Sequence, residues 1–217
     1  MDTERARHNM IEQQIRPWEV LDQRVLDLLT RVRREDFVPA VYQSLAFVDM
    51  EIPLGHGQTM WAPKLEARVL QSLAVQPTDR VLEVGTGSAY LTALLASVAG
   101  EVLSVEIEPE LKAEAEKRLA AHGFANVRLE QGDGARGWEA GAPYDVIVLT
   151  GSTPVLPDAL LHQLAVGGRL FAIVGEAPVM QARLVTRVGE AAWRQDALFE
   201  TEVAALRHAV EPERFVF

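Results

Sequence analysis

The sequence predicts an α/β fold of the doubly wound kind, a mostly parallel seven-stranded sheet with a helical N-terminal cap. Three observations lead there. From Arg80 onward, short apolar runs alternate with amphipathic stretches of helical period; two glycines one residue apart follow the first run, in VLEVGTGSAY; and after Gly175 the helical stretches stop while two alternating segments continue. Alternating strand and helix imply parallel strands joined by crossover helices, and two successive strands imply an antiparallel pair at one edge.

In chain order, residues 3–15 and 19–34 carry helical periodicity. They are separated at Arg16-Pro17, where proline removes a donor and disfavours a helical Arg16. IPLGHGQTMWAP, 52–63, is rich in glycine and proline and reads as a loop, followed by a helix over 64–74. RVLEVG is the first strand of the sheet and SAYLTALLASVA the helix after it. EVLSVEIE is the second strand, and PELKAEAEKRLAAH the next helix, with Pro109 in its first turn and Gly123 as a left-handed cap. NVRLEQGD is the third strand. YDVIVLTG is the fourth, nearly all apolar as a strand buried on both faces should be. Helix PDALLHQL leads to the fifth strand, GGRLFAIVG, and QARLVTRVG with WRQDALFETEVAAL forms the closing antiparallel pair. The expected division is a helical cap with a substrate loop over 1–79 and an α/β domain over 80–217.

Composition narrows the function classes. The chain has 217 residues, 48% hydrophobic and 24% charged, as an ordinary globular protein does. A net charge of −10 repels a nucleic-acid backbone, and the three arginines of RVRRED stand among two acids, so no nucleic-acid partner is expected. No apolar window reaches the ~18–20 residues of a membrane span. MDTERARHNMIEQQIR has no apolar signal region, which makes the cytoplasm the expected location. There is no cysteine, and the five histidines (8, 56, 122, 162, 208) lack metal-ligand spacing, so no metal is expected. Trp18, Trp138 and Trp193 are scattered and read as packing residues, and His56 as a hydrogen-bonding turn residue. Ser88 does not match the G-x-S-x-G elbow of hydrolases.

Gly85 and Gly87 bare the backbone at the carboxyl end of a strand, where a ligand approaches closely. Glu106 ends the second strand 21 residues beyond Gly85, near the ~20-residue offset of an acid that binds ribose hydroxyls. A dinucleotide fingerprint would have a third glycine where Tyr90 stands, and Glu83 would repel a pyrophosphate. A zwitterionic ligand with an ammonium suits Glu83 better. S-adenosylmethionine, with its adenosine, amino-acid tail and sulfonium, fits this set. Asp133, between Gly132 and Gly134 at the end of the third strand, adds an acceptor for the adenine amino group.

The ordered motifs VRREDFVP (32–39), IPLGHGQT (52–59), AP (62–63), RVLEVGTGSAY (80–90), NVRLEQGDG (126–134), APYDVIVLT (142–150) and LLHQLAVGGRLFAIVG (160–175) resemble the protein-L-isoaspartate O-methyltransferase family. The resemblance implies a Rossmann-like class I methyltransferase fold and S-adenosylmethionine as cofactor. It implies methyl transfer to the abnormal carboxylate of isoaspartyl residues in damaged proteins, by a monomer or homodimer. Glu83, Gly85, Gly87, Glu106, Asp133 and Gly134 fall on the family's cofactor positions, and Met60, Thr86, Ser88, Tyr90 and Ile107 complete the expected cofactor set. Gln58, Thr59 and Trp61 are the expected residues at the reacting centre.

Three departures stand out. The family reads G-Q-T-I-S-x-P where this chain has Trp61 at the serine, Ala89 takes the place of a glycine, and Gly151-Ser152-Thr153 replaces alanines. Trp61 either lines the acceptor pocket or packs beneath the N-terminal helices. Its bulk keeps two other readings open, a methyltransferase of the same fold with another acceptor and a non-catalytic binder of S-adenosylmethionine or S-adenosylhomocysteine. Tyr90 and Glu83 disfavour a nicotinamide-dependent oxidoreductase. The C-terminal Phe215 and Phe217 are candidates for docking on the core or on a partner.

Overall fold

The computed structural model describes residues 2–212, so Phe215 and Phe217 lie outside the described residues. At the N-terminus Asp2 caps helix α1 (Thr3–Met10), accepting from the Arg5 amide at 3.1 Å. The helix does not break at Arg16-Pro17. It passes through a π turn (Ile11–Ile15) into a 3-10 turn (Arg16–Trp18), whose first positions need no amide donor, and ends at Glu19 with φ 60°. Helix α2 (Gln23–Arg31) therefore begins at 23 rather than 19 and stops at 31 rather than 34. Its start is fixed by Asp22, whose carboxylate accepts from the Arg24 amide at 2.9 Å. Asp22→Ala is expected to lower global stability by ~1 kcal/mol through loss of that cap, as read by urea denaturation.

The glycine-rich stretch is more ordered than a loop. Strands β1 (Ile52–Gly55) and β2 (Gln58–Met60) form an antiparallel hairpin with Ile52 opposite Met60. His56 and Gly57 make the turn with φ 54° and 72°, the paired positive values of a type I′ turn. Helix α3 (Pro63–Leu73) follows, with proline in its first turn and Ala74 as a left-handed cap.

The main sheet then unfolds in the expected rhythm: β3 (Arg80–Val84), α4 (Tyr90–Ala96), β4 (Glu101–Glu106), α5 (Pro109–Ala121), β5 (Val127–Gln131), β6 (Tyr144–Thr153), α6 (Asp158–His162), β7 (Leu164–Glu176), β8 (Val179–Gly189) and β9 (Ala192–Glu200). Its order is β5-β4-β3-β6-β7-β8-β9, with neighbours parallel from β5 through β7 and antiparallel from β7 through β9. The chain winds outward from β3 to β5 and then returns to lay β6 on the other side of β3. The crevice at the carboxyl ends of β3 and β6 is thus the topological switch point, where ligands of such sheets bind.

Successive side chains of β3 point to opposite faces, and the core divides accordingly. Val81 joins one apolar cluster with Met10, Leu28, Phe37, Ile52, Leu70 and Tyr90, so the N-terminal segments and one sheet face share a core. Leu82 and Val84 join the other, with Leu103, Ile147, Leu160 and Leu170.

Candidate active site

The turn after β3 bares its backbone through Gly85 (φ 96°) and Gly87 (φ 53°), and Ala89 adopts φ 68° although it carries a side chain. Thr150, at the carboxyl end of β6, sets its hydroxyl between the carbonyl oxygens of Val84 (2.9 Å) and Gly85 (2.7 Å) and donates to that pair. A side chain at Gly85 would overlap the same hydroxyl. On the other flank Glu106 accepts from the Gly87 amide at 2.8 Å and the Glu108 amide at 2.9 Å, one through each carboxylate oxygen. Burial raises the Glu106 pKa, and the bonds from backbone amides oppose that rise.

Glu83 lies inside the fold with no solvent exposure. Parallel pairing sets it opposite Ser104 of β4, and Oε2 accepts from Ser104 (2.6 Å) and from Thr92 of α4 (2.5 Å). Oε1 has no partner. Burial pushes the carboxyl up to about 8, opposed by the Ser104 and Thr92 hydroxyls and reinforced by Glu106.

The hairpin closes the cavity from above. Thr59 donates its hydroxyl proton to Glu51 at 2.8 Å, which fixes its rotamer across the hairpin and leaves its lone pairs free. Trp61 is held by its backbone, because its carbonyl accepts from Arg34 Nη2 at 2.6 Å. Arg34 is itself buried. Its Nε donates to the Ala46 carbonyl at 2.9 Å, Nη1 pairs with Glu66 of α3, and the guanidinium carbon lies 5.2 Å from the centroid of the Tyr90 ring. Trp61 does both things its sequence position left open: it packs in the core cluster with the N-terminal segments and also lines the cavities.

Two cavities meet at the glycine turn. One, a cleft of about 560 Å³ counting the space open to solvent, is walled by Gln58, Glu106, Ile107, Leu111, Gly151 and the chain from Ala204 to Arg207. The other, about 330 Å³, is walled by Met60, Glu66, Glu83, Thr86, Ser88 and Leu91. Thr59, Trp61, Gly85, Gly87 and Thr150 belong to both, so these five form the junction. The segment 204–208 lies across the first cavity. Ala204 and Leu206 bond the backbone of Ser152, Arg207 pairs with Glu108 and donates to the His56 carbonyl at 2.7 Å, and His208 meets Asp133 at 2.8 Å.

Most of the expected residues thus converge, and three stand off the cavity walls. Tyr90 points into the core, 5.6 Å from Phe37 between ring centroids, with its hydroxyl unpartnered and its pKa raised by burial. Asp133 spends one oxygen on the Ala135 amide at 3.0 Å and the other on His208. Gly134 packs beneath the turn, where a Cβ would come within 3.0 Å of Val84. Sequence reasoning missed Thr150, Glu66, Leu111 and the 204–207 segment. Thr150 carried a signal, as a polar residue ending an apolar strand at the switch point. Glu66 looked like any acid on an amphipathic helix, and residues 204–207 have no pattern of their own.

The residues present fit a donor with an amino-acid end and a ribose. The lone acceptor Oε1 of Glu83 meets the need of an ammonium, and Glu106 offers a fixed carboxylate one strand away. Among the described residues no cluster of three or more metal-ligating side chains occurs, and no helix is long and apolar enough to cross a membrane.

The chain is similar to known proteins over most of its length. Residues 5–206 match the family model described as "Protein-L-isoaspartate(D-aspartate) O-methyltransferase (PCMT)". Protein-L-isoaspartate O-methyltransferase 1 of Rhodopseudomonas palustris (strain HaA2) is 46% identical over 169 residues, which cover 78% of this chain and 69% of the relative. Protein-L-isoaspartate O-methyltransferase 2 of Marinobacter nauticus is 41% identical over 195 residues, 89% of each chain. In fold, a solved protein-L-isoaspartate O-methyltransferase superposes with TM-score 0.79 at 24% identity, over 94% of this chain and 65% of that one. A Plasmodium falciparum beta-aspartate methyltransferase in complex with S-adenosyl-L-homocysteine superposes with TM-score 0.78 at 20% identity, over 95% of this chain and 99% of that one.

Proposed function

This chain belongs to the protein-L-isoaspartate(D-aspartate) O-methyltransferase family, and on that premise we propose how its own residues carry out the family's reaction. It is an S-adenosylmethionine-dependent methyltransferase that forms a methyl ester on the carboxylate of isoaspartyl residues. The observation that carries the site assignment is Glu83, a fully buried acid with one unpartnered oxygen in the wall of a cavity beside two bared glycines.

In this assignment Glu83 holds the ammonium of the donor and Glu106 the ribose hydroxyls, while Gly85 and Gly87 let the backbone approach and Ile107 and Leu111 flank the nucleoside. Asp133, Gly134 and Tyr90 act from behind, shaping the turn and the strand ends. When bound, the donor supplies an electrophilic methyl group on a sulfonium.

The chain's task is positioning. An acceptor carboxylate with a reference pKa of ~3.9 is already ionised at neutral pH, so no general base is required. Thr59 and Trp61 line the junction at which the acceptor meets the donor and Gln58 lines the first cavity beside it, and the rigid hairpin and the Arg34 tether keep the approach in line. Such positioning is worth roughly 7–11 kcal/mol of a bimolecular barrier. The deep burial of Trp61 excludes water from the same place. Residues 1–79 serve as cap and substrate loop, and 80–217 as the donor-binding domain. The net charge of −10 supports protein rather than nucleic acid as the partner.

A synthetic isoaspartyl peptide with saturating donor is expected to yield base-labile methyl ester, measured as methanol release, while the aspartyl isomer yields none. Turnover of neither peptide, with donor bound, would sink the acceptor assignment.

A further inference from the structure

The cavity that holds Glu83 has a second buried acid that the assignment above does not use. Glu66 of α3 is 2% exposed and shares the cavity wall with Glu83, Thr59, Trp61 and Gly85. It does not face the cavity as a lone charge, because Arg34 pairs with it from the side of the N-terminal segments. A buried ion pair whose positive member also grips Ala46 and Trp61 is locked in orientation, so the carboxylate is fixed in the wall. The unpartnered Oε1 of Glu83 marks the same wall as built for a cation. Burial also lifts Glu66 to about 8; Arg34 opposes this and Glu83 adds to it, so the two acids sense one another.

We propose that Glu66 is a positioning residue for the methyl donor, which with Glu83 forms a two-acid wall that favours the cationic donor over its demethylated product, which lacks the sulfonium charge. This rests on the assignment of the cavity to the donor. The donor and its product differ by one positive charge, on sulfur, while both carry the ammonium that Glu83 serves. A second negative charge in the wall beside the junction therefore acts on the difference between them. It strengthens the grip on the donor while leaving the grip on the product nearly unchanged. Arg34 opposes the effect of burial on Glu66, and its other nitrogens are spent on carbonyls, so the cation does not reach the ligand itself.

Isothermal calorimetry on the full chain separates this role from a structural one. S-adenosylmethionine and S-adenosylhomocysteine are titrated into wild type, Glu66→Gln and Glu66→Asp. At pH 9, above the value of about 8 to which burial lifts Glu66, Glu66→Gln is expected to lower donor affinity about tenfold, the effect of one charge at a few ångströms in a partly screened interior, with product affinity changed less than about twofold. Glu66→Asp should restore most of the preference. Equal losses for both ligands, or no loss, would overturn the proposal.

Should Glu66→Gln fail to fold, the Glu83→Gln protein gives the same answer. Its donor-to-product affinity ratio should still rise between pH 6 and pH 9 as Glu66 ionises, and a flat ratio would refute the role. Binding of neither ligand by wild type would remove the donor assignment, and this inference with it.

Discussion

Gly85→Ala is expected to lose donor binding by at least a hundredfold and to lower stability by about 2–4 kcal/mol. Two effects combine. At φ 96° an alanine lies outside the region open to side chains, a strain of roughly 1–3 kcal/mol. The added methyl also overlaps the Thr150 hydroxyl, which must swing away and abandon the carbonyls of Val84 and Gly85. The turn then shifts at the junction of the two cavities. Gly55→Ala is the matched control, because Gly55 has φ 91° and nothing within 4 Å of its would-be Cβ. It should show the strain alone and keep donor affinity within a few fold. Urea denaturation and calorimetry on both variants decide the matter; equal behaviour of the pair would refute the role of the Thr150 contact.

Glu83→Gln should produce opposite changes in stability and binding. The folded protein holds the Glu83 proton up to about 8, above the ordinary 4.5. The stabilisation linked to that proton is complete below pH 4.5 and disappears as pH rises through about 8. A glutamine keeps an oxygen for Thr92 and Ser104 and never ionises. The ligand-free variant should therefore match wild type near pH 5 and exceed it in melting temperature at pH 9. Donor binding draws out the ionised form, so wild-type affinity should climb from pH 6 to pH 9. The variant should bind at least tenfold more weakly at pH 9 and lose most of that climb, since an ammonium opposite a neutral amide forfeits the charge-assisted bond. A variant that binds with wild-type affinity at pH 9 would dismiss Glu83 as the ammonium's partner.

The strands, their order of appearance and the glycine turn were legible because each is a local pattern. An apolar run ends in Glu83 and Gly85, another in Glu106, and the period changes after Gly175. The antiparallel pair at the edge followed from the missing helix. What the sequence concealed depends on partners far along the chain or on weak turn chemistry. His56-Gly57 makes a hairpin turn without the Asn-Gly or Asp-Gly that announces one. The delayed start of α2 depends on Glu19, whose carbonyl and neighbours are met by Gln71, about fifty residues away. Glu66 becomes a site residue only through Arg34, 32 positions earlier, and Arg207 reaches Glu108 across 99. Trp61 looked like a choice between packing and lining. A large indole at a cavity edge does both, and only the fold shows that its backbone rather than its ring is what Arg34 holds.

The single guanidinium of Arg34 touches Ala46, Trp61, Glu66 and the ring of Tyr90, and so ties the segment before the hairpin, the hairpin's exit, α3 and α4 to one group. A desolvated charge tolerates no partial set of neighbours: until all four arrive it prefers water, and once they have arrived none can leave alone. Cap, hairpin and the helix after the glycine turn are therefore expected to melt as one cooperative unit. The donor side and the acceptor side of the proposed centre are thus expected to be lost together on heating, in a single transition.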